Sequence, residues 1–241
     1  MRDTAAGHAV RLMPTTLRML LEKHRDALIA GIREAARTPA GEQDPRHNLA
    51  ENRGGPDAAT SLSEAVTAAI EAINRQQPFD EVARHFGRVA HFAGDLTWPA
   101  RVADTDPGEA SWERDYATYT ERHLHTFPVV FHGWKDRYLD REDGSVASRI
   151  VDFAGAAGGR TREYYPAISM AYDPANPRPV ADRFDVRSLP YGIASLSWSH
   201  HVTDMARVWL FIWRQAHGDM HGTPLLEAGT PAGGDGATET P

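Results

Sequence analysis

Apolar residues recur at intervals of three and four along most of this chain, while the strict alternation of a half-buried strand is sparse. Such a pattern demands packed helices and leaves little material for a sheet. Residues 9–36, AVRLMPTTLRMLLEKHRDALIAGIREAA, read as one or two helices, with Pro14 where a helix begins or bends. SLSEAVTAAIEAIN (61–74) opens on a Ser-x-x-Glu capping box made by Ser61 and Glu64. DEVARHFGRVAHFAGDL (80–96) follows, capped by Asp80 and closed by Trp98 and Pro99. Further helices are expected over 108–127, 146–157 and 197–217. The Pro-, Gly-, Asn- and Asp-rich stretch 38–60 reads as a long ordered loop, and 171–192 as a second loop-rich segment. At 241 residues the chain can bury a core without covalent staples, so the expectation is one all-α, multi-helix domain over 1–222. Residues 223–241 read as a small, polar tail, disordered from about Ala228.

Composition narrows the chemistry. There is no cysteine, which excludes disulfides, zinc knuckles and thiol catalysis. The net charge of −7 argues against broad binding to nucleic-acid backbones. No apolar run approaches the roughly 18 residues of a membrane span. The opening MRDTAAGHAV lacks the apolar core of a signal peptide, so the chain as written is expected in the cytoplasm, and a start further upstream would make it a secreted protein. Twelve histidines remain, and in a cysteine-free chain histidine and carboxylate are the ligands on offer for zinc.

The stretch HFAGDLTWPAR sets His91 and Asp95 one helical turn apart on one face. An i, i+4 pair of this kind is either a hydrogen-bonded helix pair or half of a metal grip. Val89, Ala90, Phe92 and Leu96 around it would bury the pair, and a buried charge needs compensation that a metal can supply. His200 and Asp204 repeat the spacing and read as a capping or helix-surface pair. His123 and His125 face different ways on a helix and, with His132, do not make a shared ligand set. Trp98, Trp112, Trp198, Trp209 and Trp213 read as core.

RVAHFAGDLTWPARV, together with GHAVRL, the loop containing His47 and the closing VTDMARVWLFIWRQAHG, resembles the zinc-dependent phospholipase C family, which is related to the single-strand-specific zinc nucleases. The resemblance spans roughly residues 8–217, and its motif-grade part is the segment around His91. It implies an all-helical fold, a cluster of up to three zinc ions and hydrolysis of phosphate esters, in a family with many secreted members. Carried over residue by residue, it implies His8, His47, His91 and Asp95 as metal ligands, with Asp95 matching an aspartate that bridges two metals. The family's acidic ligand or general base falls at Ala36, so Glu34 or Asp44 would have to substitute. Where the family has another histidine six residues after the aspartate, this chain has Arg101, and the later His-x-x-x-Glu pair falls on Glu113 and Ala117. The amino-terminal tryptophan of the family is absent as well.

The resemblance therefore implies a metal-dependent phosphoester hydrolase with one metal subsite lost and one or two zinc ions kept. Arg101, paired with Glu113 when no substrate is bound, would hold a phosphate in place of the missing ion. The expected substrate is a small phosphoester or a phospholipid headgroup. Two alternatives stand beside it: a catalytically inactive binding or scaffold relative, and a nuclease-like phosphodiesterase acting on single strands.

Overall fold

Three segments capped by local chemistry frame the molecule. The Asp57 side chain accepts from the Thr60 amide at 2.8 Å and starts one helix; Ser145 and Ser188 start two others in the same way. The structure, a computed structural model, describes residues 1–37, 47, 49, 57–102, 109–172, 181 and 184–226. Its helices are α1 (Arg2–Arg11), α2 (Thr15–Lys23), α3 (Arg25–Ala36), α4 (Ala58–Asn74), α5 (Phe79–Asp95), α6 (Pro99–Val102), α7 (Glu109–His123), α8 (Val146–Arg162), α9 (Tyr165–Ala171) and α10 (Leu189–Gln215). Among the described residues there is no strand. No described helix is long and apolar enough to cross a membrane.

α10 forms the axis of the core. It buries apolar side chains from Ile193 to Trp213 and packs on α1, α4, α5 and α9. The five tryptophans expected in the core are all buried. α3 crosses α5 in close backbone contact, where a Cβ on Gly31 would lie 2.0 Å from the Arg84 carbonyl oxygen and one on Gly87 would lie 2.1 Å from that of Leu28. Only residues without side chains permit that contact. It fixes α5, and with it the face that carries His91 and Asp95.

Several boundaries differ from the sequence reading. The stretch 9–36 holds parts of three helices, because Pro14 caps α2 and His24 breaks the chain before α3, and α1 already starts at Arg2. The Ser61–Glu64 capping box does not form. Asp57 captures the helix start four residues earlier, and the Ser61 hydroxyl is buried inside α4 without a hydrogen-bond partner among the described residues. Pro78 rather than Asp80 precedes α5, and Pro99 opens α6 instead of closing a helix. α8 runs on to Arg162, and α10 begins at Leu189 inside the expected loop, with Pro190 in its first turn. Most of 38–56, all of 173–180 and all of 227–241 lie outside the described residues.

Candidate metal centre

The last turn of α5 brings His91 and Asp95 to one face, with His91 Nε2 3.5 Å from Asp95 Oδ2. His47 arrives from a distant segment that backbone contacts hold in place. The Leu49 amide donates to the Arg101 carbonyl at 2.9 Å. Arg162 of α8 donates to the carbonyls of Val102 and Leu49 at 2.8 and 3.1 Å, which ties the two segments together. Leu49 itself rests where α8 offers only Gly158. So seated, His47 Nδ1 lies 2.8 Å from Asp95 Oδ2 and 3.1 Å from His91 Nε2.

These three atoms point at one spot. His47 Nδ1 carries either one proton or one lone pair, so it cannot both donate to the carboxylate and accept from His91. A tetrahedral zinc with ordinary bonds separates its ligands by about 3.4 Å. The observed triangle of 2.8, 3.1 and 3.5 Å is such a face drawn slightly inward. His47, His91 and Asp95 are 4%, 2% and 1% exposed, so bulk solvent does not reach them. The outer nitrogens, His47 Nε2 and His91 Nδ1, have no hydrogen-bond partner among the described residues. Two imidazoles and a carboxylate make a donor set that could hold a metal ion.

Protonation states suit a cation. Burial, and then the charge of Arg2, lower the His91 pKa to about 3, so the ring is neutral at neutral pH. Burial would raise the Asp95 pKa, but the Arg2 charge and the hydrogen bond from His47 outweigh it and bring it down to about 2. Neutral imidazole and ionised carboxylate are the forms in which His91 and Asp95 can bind a metal.

Two neighbours of this group were absent from the sequence reading. Arg2 forms an ion pair with Asp95 Oδ1, across 93 positions of sequence. His201 of α10 is 0% exposed, and both of its ring nitrogens lack hydrogen-bond partners among the described residues. Neither contact has a local signal in the sequence, since an arginine near a helix start and one histidine of a His-His pair look ordinary.

The other expected site residues lie elsewhere or differ in role. His8 does not join the group: it sits half-buried on α1, edge-on to Trp198 at 5.8 Å, and lines a depression of about 230 Å3 with Arg11 and Arg25. Glu34 is not brought to it either. Its carboxylate is held by Arg84 and Arg88; burial would raise its pKa, but their hydrogen bonds and charges lower it, the wrong direction for a base. Asp44 lies outside the described residues. Arg101 is placed as expected, its Nε 3.6 Å from Glu113 Oε1, and its charge reaches His91. His200 and Asp204 do not pair as expected. Asp204 is buried against Arg160, and His200 stacks on His132 at 4.5 Å.

No family model matches the chain, and no curated protein matches it. Solved structures do share its fold. The alpha toxin of Clostridium absonum superposes with a TM-score of 0.66 at 14% identity over 86% of this chain and 58% of that one. The alpha toxin of Clostridium perfringens from avian strain SWCP superposes with a TM-score of 0.67 at 13% identity over 89% of this chain and 63% of that one. The chain thus spans less than two thirds of the length of either toxin. The expected all-α fold is the one observed, and it is the fold of the alpha toxins.

Proposed function

We propose that the chain is a phosphoester hydrolase of phospholipase C type that works with one zinc ion at His47, His91 and Asp95. The observation that carries this reading is the convergence of His47 Nδ1, His91 Nε2 and Asp95 Oδ2 on one buried point. The fold shared with the alpha toxins supports it, as does the sequence resemblance around His91. Zinc bound there lowers the pKa of a coordinated water and so supplies a nucleophile at neutral pH. His47 and His91 would hold the ion through Nδ1 and Nε2, and Asp95 would offer the single negative charge. Arg101, one turn beyond α5, binds the phosphate and offsets the charge that grows on its oxygens as the ester bond breaks. To do so it leaves Glu113, whose carboxylate anchors the guanidinium until substrate arrives.

The substrate in this reading is a lipid headgroup phosphodiester rather than a nucleic acid, since a net charge of −7 counts against attraction of a polynucleotide backbone. A second reading, an inactive binding relative, draws on the formed Arg101–Glu113 pair and the near-complete burial of the trio. Elemental analysis of the purified protein, with hydrolysis of phosphatidylcholine and of single-stranded DNA, separates these readings. About one equivalent of zinc, lost in His91→Ala/Asp95→Ala together with phosphatidylcholine hydrolysis, is the expected result. Bound zinc without hydrolysis of either substrate would favour the binding relative, and no zinc in the unmodified protein would end the metal reading.

A further inference from the structure

Asp95 turns its two oxygens toward two different neighbourhoods. Oδ2 faces His47 and His91, whereas Oδ1 takes the Arg2 guanidinium. Beyond that guanidinium lies His201. A Cβ placed on Gly94 would sit 2.8 Å from His201 Nε2 and 3.2 Å from Arg2 Nε, so imidazole and guanidinium border the same small space beside Asp95. His201 is fully enclosed, yet neither of its nitrogens has a hydrogen-bond partner among the described residues. Leaving a buried polar group unsatisfied costs roughly 1–3 kcal/mol, and an unprotonated imidazole nitrogen is a ligand for a cation. The Arg2 side chain is 31% exposed, so it can swing outward while α1 stays in place.

We infer that Arg2 is a tethered cation standing at a second ion position, bounded by Asp95 Oδ1 and His201, and that it limits the centre to a single metal ion. The inference rests on the reading of His47, His91 and Asp95 as the first position. With Arg2 in place, Oδ1 is occupied, and a second divalent ion would meet a full positive charge at close range in a poorly solvated setting. With Arg2 removed, Oδ1 and a nitrogen of His201 face one space, and Asp95 is free to bridge two ions. Arg2 thereby sets the ion count by charge, without itself being a ligand.

The test counts zinc per chain, by calorimetric titration and by elemental analysis after gel filtration, with circular dichroism to confirm the helical fold. About one equivalent is expected in the unmodified protein and in Arg2→Lys, which keeps the charge. About two are expected in Arg2→Ala, falling back to about one in Arg2→Ala/His201→Leu. If Arg2→Ala does not fold, Arg2→Gln, which keeps a donor to Oδ1 without the charge, takes its place with the same expectation. A count that stays at one when Arg2 is replaced overturns the inference and leaves the first position standing. No zinc in any variant overturns both. Zinc bound to Arg2→Ala but not to the unmodified protein puts ion and guanidinium at the same position, and this too overturns it.

Discussion

Asp204 lies fully buried on α10, with Arg160 of α8 against one carboxylate oxygen and Arg207 4.0 Å from the other. Burial pushes its pKa up, and the two arginines do not fully offset that, so the pair costs desolvation that its mutual attraction only partly returns. Breaking the pair on one side should then hurt more than removing both sides. Arg160→Met is expected to lower stability by about 3 kcal/mol, because it strands a buried carboxylate, and Arg160→Met/Asp204→Leu should recover most of that loss. Urea unfolding of the two variants checks this; equal losses would mean that Arg207 alone satisfies Asp204. The residue scale also shows what a linear reading can reach. His91 and Asp95 were legible because one helical turn joins them. His47 was legible through the family resemblance alone, since its partner lies 48 positions away. Arg2 and His201 were not legible, because only the packing of α1 and α10 against α5 brings them to Asp95. Glu34 shows the converse: a carboxylate at about the expected place in the chain is held by Arg84 and Arg88 of the neighbouring helix.

The α3–α5 crossing rests on two glycines that face backbone carbonyls, at distances no side chain can share. Replacing a helical glycine by alanine normally raises stability by about 0.5–1 kcal/mol, as the unfolded chain loses freedom. Gly87→Ala should do the reverse. Its methyl would overlap the Leu28 carbonyl oxygen, neither helix can yield locally, and the overpacking should cost about 2–3 kcal/mol, a fall in Tm of about 5–10 °C. Gly155→Ala on α8, where nothing lies within 4 Å of the new methyl, is the control and should hold Tm or raise it slightly. Similar behaviour of the two variants would show that α3 and α5 can part without loss. At this scale the periodicity found α4, α5, α7, α8 and α10, because each carries an apolar stripe several turns long. Their starts were less legible. Ser61 and Glu64 satisfy a capping pattern, but Asp57 lies four residues upstream and its side chain accepts from the Thr60 amide, so the helix begins there. α10 begins at Leu189, inside the stretch 171–192 that reads as loop-rich, with Pro190 in its first turn, where proline is well tolerated. α9, seven residues long, is too short for a periodic signal.

The molecule as a whole buries histidines it cannot protonate, and this couples its stability to pH. His201 faces Arg2 from α1 and Asp95 and His91 from α5, with Trp198 of its own helix beside it. Burial first, and the Arg2 charge next, bring its pKa to about 3. In the unfolded chain the same ring takes a proton below pH about 6.5. Between these values the unfolded state holds one proton more than the folded state, so stability falls as pH falls. Above pH about 6.5 neither state is protonated and the contribution is flat; below about 3 it levels again. The slope from His201 is about 1.4 kcal/mol per pH unit across that window. His91, also lowered to about 3 by burial, adds in the same direction. Asp95, held down to about 2, adds its own loss only below the ordinary carboxylate range, while Asp204, pushed up, works the other way just above that range. Metal-free protein should therefore lose stability from pH 6.5 downward, before Asp95 titrates, with Asp204 opposing part of that loss. Urea unfolding at a series of pH values between 7.5 and 4.5 measures the slope, and His201→Leu should reduce it by close to one proton whatever it does to stability at pH 7.5. Parallel slopes in the two proteins would mean that His201 takes up its proton in the folded state, and that the space beside Asp95 admits water.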